Sequence, residues 1–259
     1  MQTNPNGRIL YEGPSMLDGA PIVVIATGFA ESSANGKTGG MLQTWILRQD
    51  IPPHQAFKSP EGASICGDCP HRLAQTCYVL WFQGPLAVWN AWRRGSYAPI
   101  GADWHLFADR PLRIGSAGDP CAVPEHVWRR PLQECATHTG YTHQWRHPVG
   151  AWARGTLQAS CDGMADYLEA TAHGWSTFLV TPPGTPDPTG TIHCAASTER
   201  GKKTNCATCH LCDGASANVV IHAHGRSASR FVPVVIPPDP SPRARKRAEY
   251  LATVHNFAN

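Results

Sequence analysis

Two compact groups of cysteines constrain this chain more than any other feature of its sequence. Seven of the ten cysteines in the 259 residues fall into a first set spaced C-x2-C-x7-C and a second set spaced C-x11-C-x2-C-x2-C. The first set is Cys66, Cys69 and Cys77, and the second set is Cys194, Cys206, Cys209 and Cys212. Thiolates gathered this closely repel one another unless a cation lies between them, and the usual cations are zinc or the iron of an iron–sulfur cluster. The sequence therefore predicts two metal centres.

The start of the chain, MQTNPNGRILYEG, lacks the charged and then apolar pattern of a secretion signal. The longest apolar segment, PIVVIATGFA, is too short to cross a bilayer. We therefore expect a cytoplasmic protein without membrane contacts, whose cysteines are reduced ligands or core residues rather than disulfides.

The overall charge gives little reason to expect a polyanionic partner. The chain carries 22 Lys and Arg against 19 Asp and Glu, a formal net charge of +3. Basic residues do gather near the end, from Arg243 to Arg247. Nucleic acid is therefore a possible but weakly supported partner, and a solvated tail is the simpler interpretation of the basic run.

Alternating strand and helix patterns predict an α/β fold. Extended, apolar patterns recur about seven times and end near Gly, His or Cys, at 21–28, 111–119, 136–145, 156–163, 176–184, 191–197 and 217–225. Helical periodicity is expected at 41–49, 86–95, 124–135 and 163–174. This alternation is typical of parallel β/α units and favours a partial or complete (β/α) barrel, in which chemistry collects at the C-terminal ends of the strands.

We expect three regions along the chain. Residues 1–20 are predicted to be an N-terminal arm or a short hairpin. Residues 21–225 are predicted to form the barrel, with Cys-rich insertions at 66–77 and 194–212. Residues 226–259 are expected to be a Pro-rich, basic tail.

The two cysteine sets predict different kinds of metal site. The continuous C-x2-C-x2-C run of the second set is typical of iron–sulfur ligation, and Cys194 would complete a closed site, with His193 and His210 as reserve ligands. The first set offers three thiolates, which leaves one iron of a cluster free for a small molecule. Zinc stays open as the alternative at both sets, and at the first set His71 could complete it.

Two further segments carry candidate functional residues. IGSAGDP (114–120) follows a predicted strand, so Gly115 and Gly118 could let the backbone approach a ligand while Asp119 accepts from an ammonium or hydroxyl group. The alternative is a tight turn in which Asp119 caps a helix.

THTGYTH (137–143) contains the candidate catalytic residues His138, Tyr141 and His143, of which Tyr141 and His143 would share one face of a strand. The alternative is that these are ordinary core or rim groups. His222 and His224, on one face of the last predicted strand, have the same two interpretations.

The segment GKT (36–38) after the first predicted strand mimics a phosphate-binding loop. The nucleotide motif needs a glycine five residues before Gly36, where this chain has Glu31, so the spacing argues against it. Lys37 and Thr38 are left as an anion contact or a helix cap.

Several segments together resemble a family of uncharacterised proteins encoded by bacteriophages, distantly similar to radical-SAM barrels. The segments are NGKTGGMLQTWILRQDI, SICGDCPHR, TCYV, QGPLAVWNAWRRGSY, IGSAGDP and CATCHLCDG, and the resemblance covers about residues 20 to 225. It implies a [4Fe–4S] cluster on the first set whose open iron binds S-adenosylmethionine, with Gly115, Gly118 and Asp119 on the methionyl part. The second set would then hold an auxiliary cluster. The chain departs from the radical-SAM pattern in cysteine spacing and in having Asp119 where a glutamate is usual.

The cysteine sets favour an iron–sulfur protein, and the resemblance implies that it is phage-encoded, lies in the host cytoplasm and is a radical-SAM-like enzyme of unknown substrate. The alternative is a zinc-stapled binding protein that grips nucleic acid or a host protein through Arg93, Arg94 and the basic run. A third option is a structural component of the virion.

Overall fold

The computed structural model describes residues 3–33, 35–198, 201 and 204–224. The predicted tail at 226–259, with its basic run, lies outside the described residues. The ten cysteines are all described, and all are free thiols.

The core of the structure is one ten-stranded sheet in the order β4-β1-β2-β3-β5-β6-β7-β8-β10-β9. The strands are β1 Gly7–Pro14, β2 Pro21–Thr27, β3 Leu42–Arg48, β4 Ala98–Pro99, β5 Pro111–Ala117, β6 Thr137–Thr142, β7 Gln158–Cys161, β8 Thr177–Thr181, β9 Ile192–His193 and β10 Val219–His222. β1, β2 and β3 form an antiparallel meander, and every pairing from β3 to β9 is parallel, as is that of β1 with β4.

Seven helices accompany the sheet in the described part of the chain, most of them short. They are α1 Pro53–Ala56, α2 Ala63–Cys66, α3 Pro70–Leu73, α4 Gly84–Arg93, α5 Glu125–Glu134, α6 Met164–Ala172 and α7 Cys206–Cys209. The longest have ten residues, and none of the described helices is long and apolar enough to cross a membrane.

The predicted α/β fold is confirmed as a mixed α/β architecture with a large, mostly parallel sheet. Each strand expected from 111–119 onward contains an observed strand, and three of the four expected helices are present as α4, α5 and α6. No pairing between the edge strands β4 and β9 is found among the described residues, so the closed barrel stays a prediction.

The prediction of a helix at 41–49 is wrong, because Leu42–Arg48 is strand β3. β3 lies between β2 and β5, and all of its residues except Trp45 are buried. A strand covered on both faces has no alternation of apolar and polar residues, so its pattern resembles that of a buried helix. The predicted arm at 1–20 contains β1, which forms a hairpin with β2.

The parallel strands bring their C-terminal ends to one edge of the sheet. β5 ends at Ala117, β6 at Thr142 and β7 at Cys161, and each leads into a turn. Beneath that edge lies a continuous core that includes Trp128, the largest of the fully buried side chains.

Candidate metal centres and the polar cluster beside them

The first cysteine set lies on a loop that folds back on itself. α2 ends at Cys66, and Gly67 follows with φ 60°, a left-handed conformation that turns the chain sharply. The backbone N–H of Cys69 donates to the carbonyl of Cys66 at 3.2 Å. The N–H of Cys77 donates to the carbonyl of His71 at 3.2 Å, and this bond turns the chain so that the third cysteine lies near the first two.

Contacts with the turns after β5 and β6 fix this loop at the edge of the sheet. Asp68, between the first two cysteines, accepts from Nε2 of Gln144 at 3.2 Å and lies 2.9 Å from Nε2 of His147. The N–H of Asp119 donates to the carbonyl of Ile65 at 2.6 Å. The loop is therefore anchored at the C-terminal ends of two parallel strands, where the fold predicts chemistry.

The structure brings the three sulfurs of the first set into one electrostatic environment. Burial raises the pKa of the Cys66 thiol well above its usual range, and the neighbouring thiolates of Cys69 and Cys77 raise it further. Burial and the Cys69 thiolate raise the pKa of Cys77 to about 11. Cys66 is buried, whereas Cys69 and Cys77 are half-buried, so the set reaches the surface on one side.

A cluster of two imidazoles and a carboxylate borders the first set. His143 Nε2 lies 3.9 Å from Cys69 Sγ and 3.2 Å from Asp162 Oδ2, while His71 Nε2 lies 2.7 Å from Asp162 Oδ1. Nδ1 of His71 is 3.0 Å from the Thr76 hydroxyl, so both of its nitrogens face other partners. The imidazole in contact with the cysteine set is therefore His143 rather than His71.

The charges of this cluster support one another. Burial lowers the pKa of His143, but the Cys69 thiolate and the Asp162 carboxylate outweigh it and raise the pKa well above its ordinary value. Burial raises the pKa of Asp162, but His143 and His71 outweigh it and hold the pKa well below its usual range. Asp162 directly follows β7, and its position at the end of the strand predicted at 156–163 is the signal that could have placed it in a site.

The predicted cofactor-binding turn is held together by its own hydrogen bonds. Asp119 Oδ1 accepts from the N–H of Cys121 at 2.9 Å and from the Thr142 hydroxyl at 2.8 Å, and Oδ2 accepts from the N–H of His143 at 2.8 Å. Asp119 also caps the 3-10 turn Pro120–Ala122. The tight turn that the sequence offered as an alternative is observed, but Asp119 caps this 3-10 turn rather than α5, whose N-cap is Pro124. The same carboxylate joins the turn after β5 to the end of β6.

The two glycines of this turn permit close backbone packing. Gly115 and Gly118 have φ of 70° and 82°. A Cβ on Gly118 would lie 2.7 Å from the carbonyl oxygen of Ile46 and 3.2 Å from that of Ile65. Gly118 therefore lets the end of β5 contact both β3 and the segment that leads into Cys66.

The second cysteine set is assembled from three parts of the chain. Cys194 follows β9, and its N–H donates to the carbonyl of Val220 in β10 at 2.8 Å. α7 carries Cys206 and Cys209 and is capped by the Asn205 side chain, which accepts from the N–H of Thr208 at 3.2 Å. The next residue, His210, has φ 58°, which turns the chain toward Cys212.

Contacts with distant segments hold this loop. The N–H groups of Cys206 and Ala207 donate to the carbonyls of Lys37 at 2.8 Å and Thr38 at 3.1 Å. The carbonyl of Cys212 accepts from the N–H of Gly140 in β6 at 3.2 Å. The segment that mimics a phosphate-binding loop therefore serves as a platform for the second set.

The four sulfurs of the second set share one environment. Burial raises the pKa of Cys212 to about 12, the hydrogen bond from the Tyr141 hydroxyl opposes this, and the thiolates of Cys194, Cys206 and Cys209 add to it. Burial also raises the pKa of Cys194, which the ammonium of Lys37 partly offsets. Three of the four cysteines are buried, so this site is more enclosed than the first.

A buried arginine lies beside the second set. Arg113 is 8% exposed, donates a hydrogen bond to the hydroxyl of Tyr78 and lies over the ring of Tyr141. Burial lowers its pKa, but the neighbouring Tyr78, Tyr141 and Cys206 outweigh this, so the guanidinium stays charged. Within the described residues it forms no ion pair with a carboxylate, and the groups that face it are phenols and a thiol.

The three candidate catalytic residues are placed in three different surroundings. His138 Nε2 lies 2.9 Å from the carbonyl of Thr156 and 3.1 Å from that of Asp213, as a structural link. Tyr141 faces the second set, and its ring lies 4.6 Å from that of Phe178. His143 faces the first set. The expectation that Tyr141 and His143 share a strand face is wrong, because β6 ends at Thr142 and the chain turns at His143.

The distances between candidate ligand atoms are larger in the two cysteine sets than in two other groups of side chains. Within the described residues, three such atoms lie within 4.8 Å of one another in two groups, His71, His143 and Asp162, and Asp187, His193 and His222. Neither cysteine set, although fully described, is packed this tightly. Tetrahedral zinc with bonds of about 2.3 Å would hold its sulfurs about 3.8 Å apart, so both sets are wider than a single zinc ion requires.

Two open clefts of about 360 and 530 Å³ lie elsewhere on the described surface. The first is lined by Trp145, Arg146 and Trp175 among others, and the second by residues around Ser176 and Ser216; neither is lined by a cysteine. Comparisons of the chain with protein-family models, with curated proteins and with solved structures found no match.

Proposed function

We propose that this chain is an iron–sulfur protein that holds two [4Fe–4S] clusters, one on each cysteine set. The observation that carries the proposal is that seven cysteines gather in two places, three within residues 66–77 and four within residues 194–212, beside strands of one sheet. A cubane cluster places its ligands on different iron atoms, so it suits sulfurs that are spaced more widely than those of a zinc site.

Charge at the second set supports a closed, anionic centre. Cys194, Cys206, Cys209 and Cys212 supply four thiolates, while Lys37 and Arg113 lie close enough to affect their charge. A buried guanidinium without a carboxylate partner is costly unless another anion offsets it. A cluster ligated by four thiolates supplies that anion, and burial suits it to electron transfer or structure rather than to substrate binding.

At the first set, Cys66, Cys69 and Cys77 would leave one iron without a protein ligand. Such an iron can bind a small molecule, and the phage-family resemblance favours S-adenosylmethionine in a radical-SAM-like (β/α) barrel. Asp119 has three of its roughly four acceptor positions filled, which leaves one position on Oδ2 for the methionyl ammonium. The His143–Asp162–His71 cluster beside the set can hold or move a proton for the reaction.

The test is to purify the chain without oxygen and measure iron, sulfide, zinc and the electronic spectrum. We expect a brown protein with about eight irons per chain. Cys77→Ser and Cys209→Ser should each remove about half of the iron, because each breaks one set. Cys135→Ser is the matched control, since Cys135 is a half-buried cysteine outside both sets.

Binding of S-adenosylmethionine is tested on the same samples. The cofactor should change the electron paramagnetic resonance signal of the reduced first cluster, in the wild type and in Cys209→Ser but not in Cys77→Ser. A colourless protein that holds only zinc would contradict the proposal. It would favour the zinc-stapled binding protein, which salt-dependent nucleic-acid binding would then test.

A further inference from the structure

A third group of metal-ligating side chains lies apart from the thiols of both cysteine sets. β9 and β10 pair in parallel with Val220 opposite His193, so His222 lies two residues further along β10 and on the same face as Val220. The rings of His193 and His222 lie 5.0 Å apart at 85°. Asp187, from the loop between β8 and β9, places its carboxylate between them.

The distances in this group match those around one metal ion. His193 Nδ1 lies 3.1 Å from both oxygens of Asp187, and His222 Nε2 lies 3.3 Å from Oδ1 of the same carboxylate. Nitrogen and oxygen ligands at about 2.0–2.1 Å from a tetrahedral ion lie about 3.3 Å from one another. The carboxylate is thus already close to the separation from each imidazole nitrogen that coordination requires, and all three ligand atoms lie within 4.8 Å of one another.

One of these nitrogens lacks an ordinary partner. His222 Nε2 is inaccessible to solvent, and within the described residues no group makes a hydrogen bond of acceptable geometry to it, although the carboxylate is near. Buried polar atoms are normally hydrogen-bonded or bound to an ion. The side chains of His193 and His222 are only 12% and 13% exposed, so water does not readily replace that partner.

A contact with a residue outside the three candidate ligands orients the imidazole of His193. Nε2 of His193 lies 3.5 Å from the hydroxyl of Ser197, on the side of the ring away from Asp187. In metal-binding histidines, the ring nitrogen that does not coordinate the metal commonly makes such a hydrogen bond, which fixes the tautomer.

We propose that Asp187, His193 and His222 bind a divalent first-row transition-metal ion, such as Zn²⁺ or Fe²⁺. Two imidazoles and one carboxylate satisfy the preferences of such ions and leave at least one position for solvent or a substrate oxygen. The site is separate from the proposed clusters in its ligands and does not depend on them. It would make the strand pair β9–β10 a Lewis-acid site beside Cys194.

The test is to titrate the full chain, purified without oxygen, with Co²⁺ and to record its visible spectrum. Cobalt at this site should show ligand-field bands without the sulfur-to-cobalt charge transfer that binding at a cysteine set produces, so the readout holds whether or not the clusters are present. In the wild type we expect one Co²⁺ ion per chain to bind with these ligand-field bands and without sulfur-to-cobalt charge transfer. His222→Gln and Asp187→Asn should weaken its binding at least tenfold.

His224→Gln is the matched control, because His224 is exposed on the same segment and should leave binding unchanged. Asp187→Glu keeps the carboxylate and should retain measurable binding, which separates lost coordination from lost folding. Absence of a sulfur-free cobalt spectrum in the wild type would overturn the proposal. So would wild-type affinity in correctly folded His222→Gln.

Discussion

Arg113 donates a hydrogen bond of 2.9 Å from Nη2 to the hydroxyl of Tyr78, the residue that follows Cys77. The same guanidinium lies 5.3 Å over the ring of Tyr141, whose hydroxyl lowers the pKa of the Cys212 thiol. One buried cation therefore links the surroundings of both cysteine sets. Because arginine stays protonated even when buried, this positive charge is permanent.

We expect Arg113→Gln to lose most of the metal of the second set, so that iron falls from about eight to about four atoms per chain. Without the guanidinium, the pKa values of the nearby thiols rise and the thiolates bind metal less well. Iron content after anaerobic purification measures this. Arg113→Lys should keep more iron because it keeps the charge, and Arg110→Gln, which removes contacts to the carbonyls of Gly28 and Phe29, is the control. Full iron in Arg113→Gln would rule out this electrostatic role.

Tyr141→Phe removes the hydroxyl that lowers the pKa of the Cys212 thiol but preserves the packing against Phe178. We expect this variant to keep its iron while the midpoint potential of the second cluster becomes more negative, because hydrogen bonds to ligand sulfur stabilise the reduced state. A potentiometric titration followed by electron paramagnetic resonance measures the shift. Tyr167→Phe, whose hydroxyl contacts the carbonyl of Thr189, should show none. Identical potentials in wild type and Tyr141→Phe would show that the Tyr141 hydroxyl does not act on a cluster at the second set.

Gly118→Ala should lower the free energy of unfolding by about 3 kcal/mol or more, because it adds backbone strain and a steric clash. Gly118 and Gly155 both have φ 82°, but a Cβ on Gly155 would have no neighbouring atom within 4 Å. Gly155→Ala should therefore cost only the conformational strain, about 1–2 kcal/mol. Urea unfolding measures the free energy of unfolding of both variants, and the difference between their losses is the cost of the clash with Ile46 and Ile65. Equal losses would show that the surrounding chain shifts to avoid the clash without a cost in stability.

Acid should destabilise the protein partly through Asp162. Its pKa is depressed in the folded state, so its contribution is present above the unfolded carboxyl pKa of about 3.9 and is lost as the pH falls below that value. We expect the free energy of unfolding to fall less steeply between about pH 4 and pH 2 in Asp162→Asn than in the wild type. Urea unfolding at each pH measures the slope.

Asp109→Asn is the control for this pH dependence, because Asp109 is exposed and has φ 57°, which asparagine tolerates. Its slope should match that of the wild type. A wild-type slope in Asp162→Asn as well would mean that other carboxylates dominate acid unfolding.

Local patterns predicted the parallel half of the sheet well. β5 to β8 and the helices α5 and α6 follow from short apolar runs with turn residues and from helical periodicity. β3 was missed because burial on both faces removes the alternation that marks a strand. β4 has only two residues, too few to produce a pattern.

The candidate sites were predictable where ligands lie close together in sequence. Spacing alone grouped the two cysteine sets, but not the contact of His143 with Cys69, which depends on where β6 ends. The Asp187–His193–His222 group joins a loop to two strands, so its members are neighbours only in the folded chain. Arg113 appears in the sequence as an ordinary strand residue, and its burial depends on the strands beside it.

The hydrogen bonds from Cys206 and Ala207 to Lys37 and Thr38 also bear on the order of assembly during translation. The platform leaves the ribosome early, whereas the cysteines that dock on it are among the last described residues to emerge. Until they do, Arg113 and Tyr141 face an incomplete pocket. The cluster that we propose for the second set would therefore enter after synthesis of this region, whereas the one proposed for the first set could enter while translation continues.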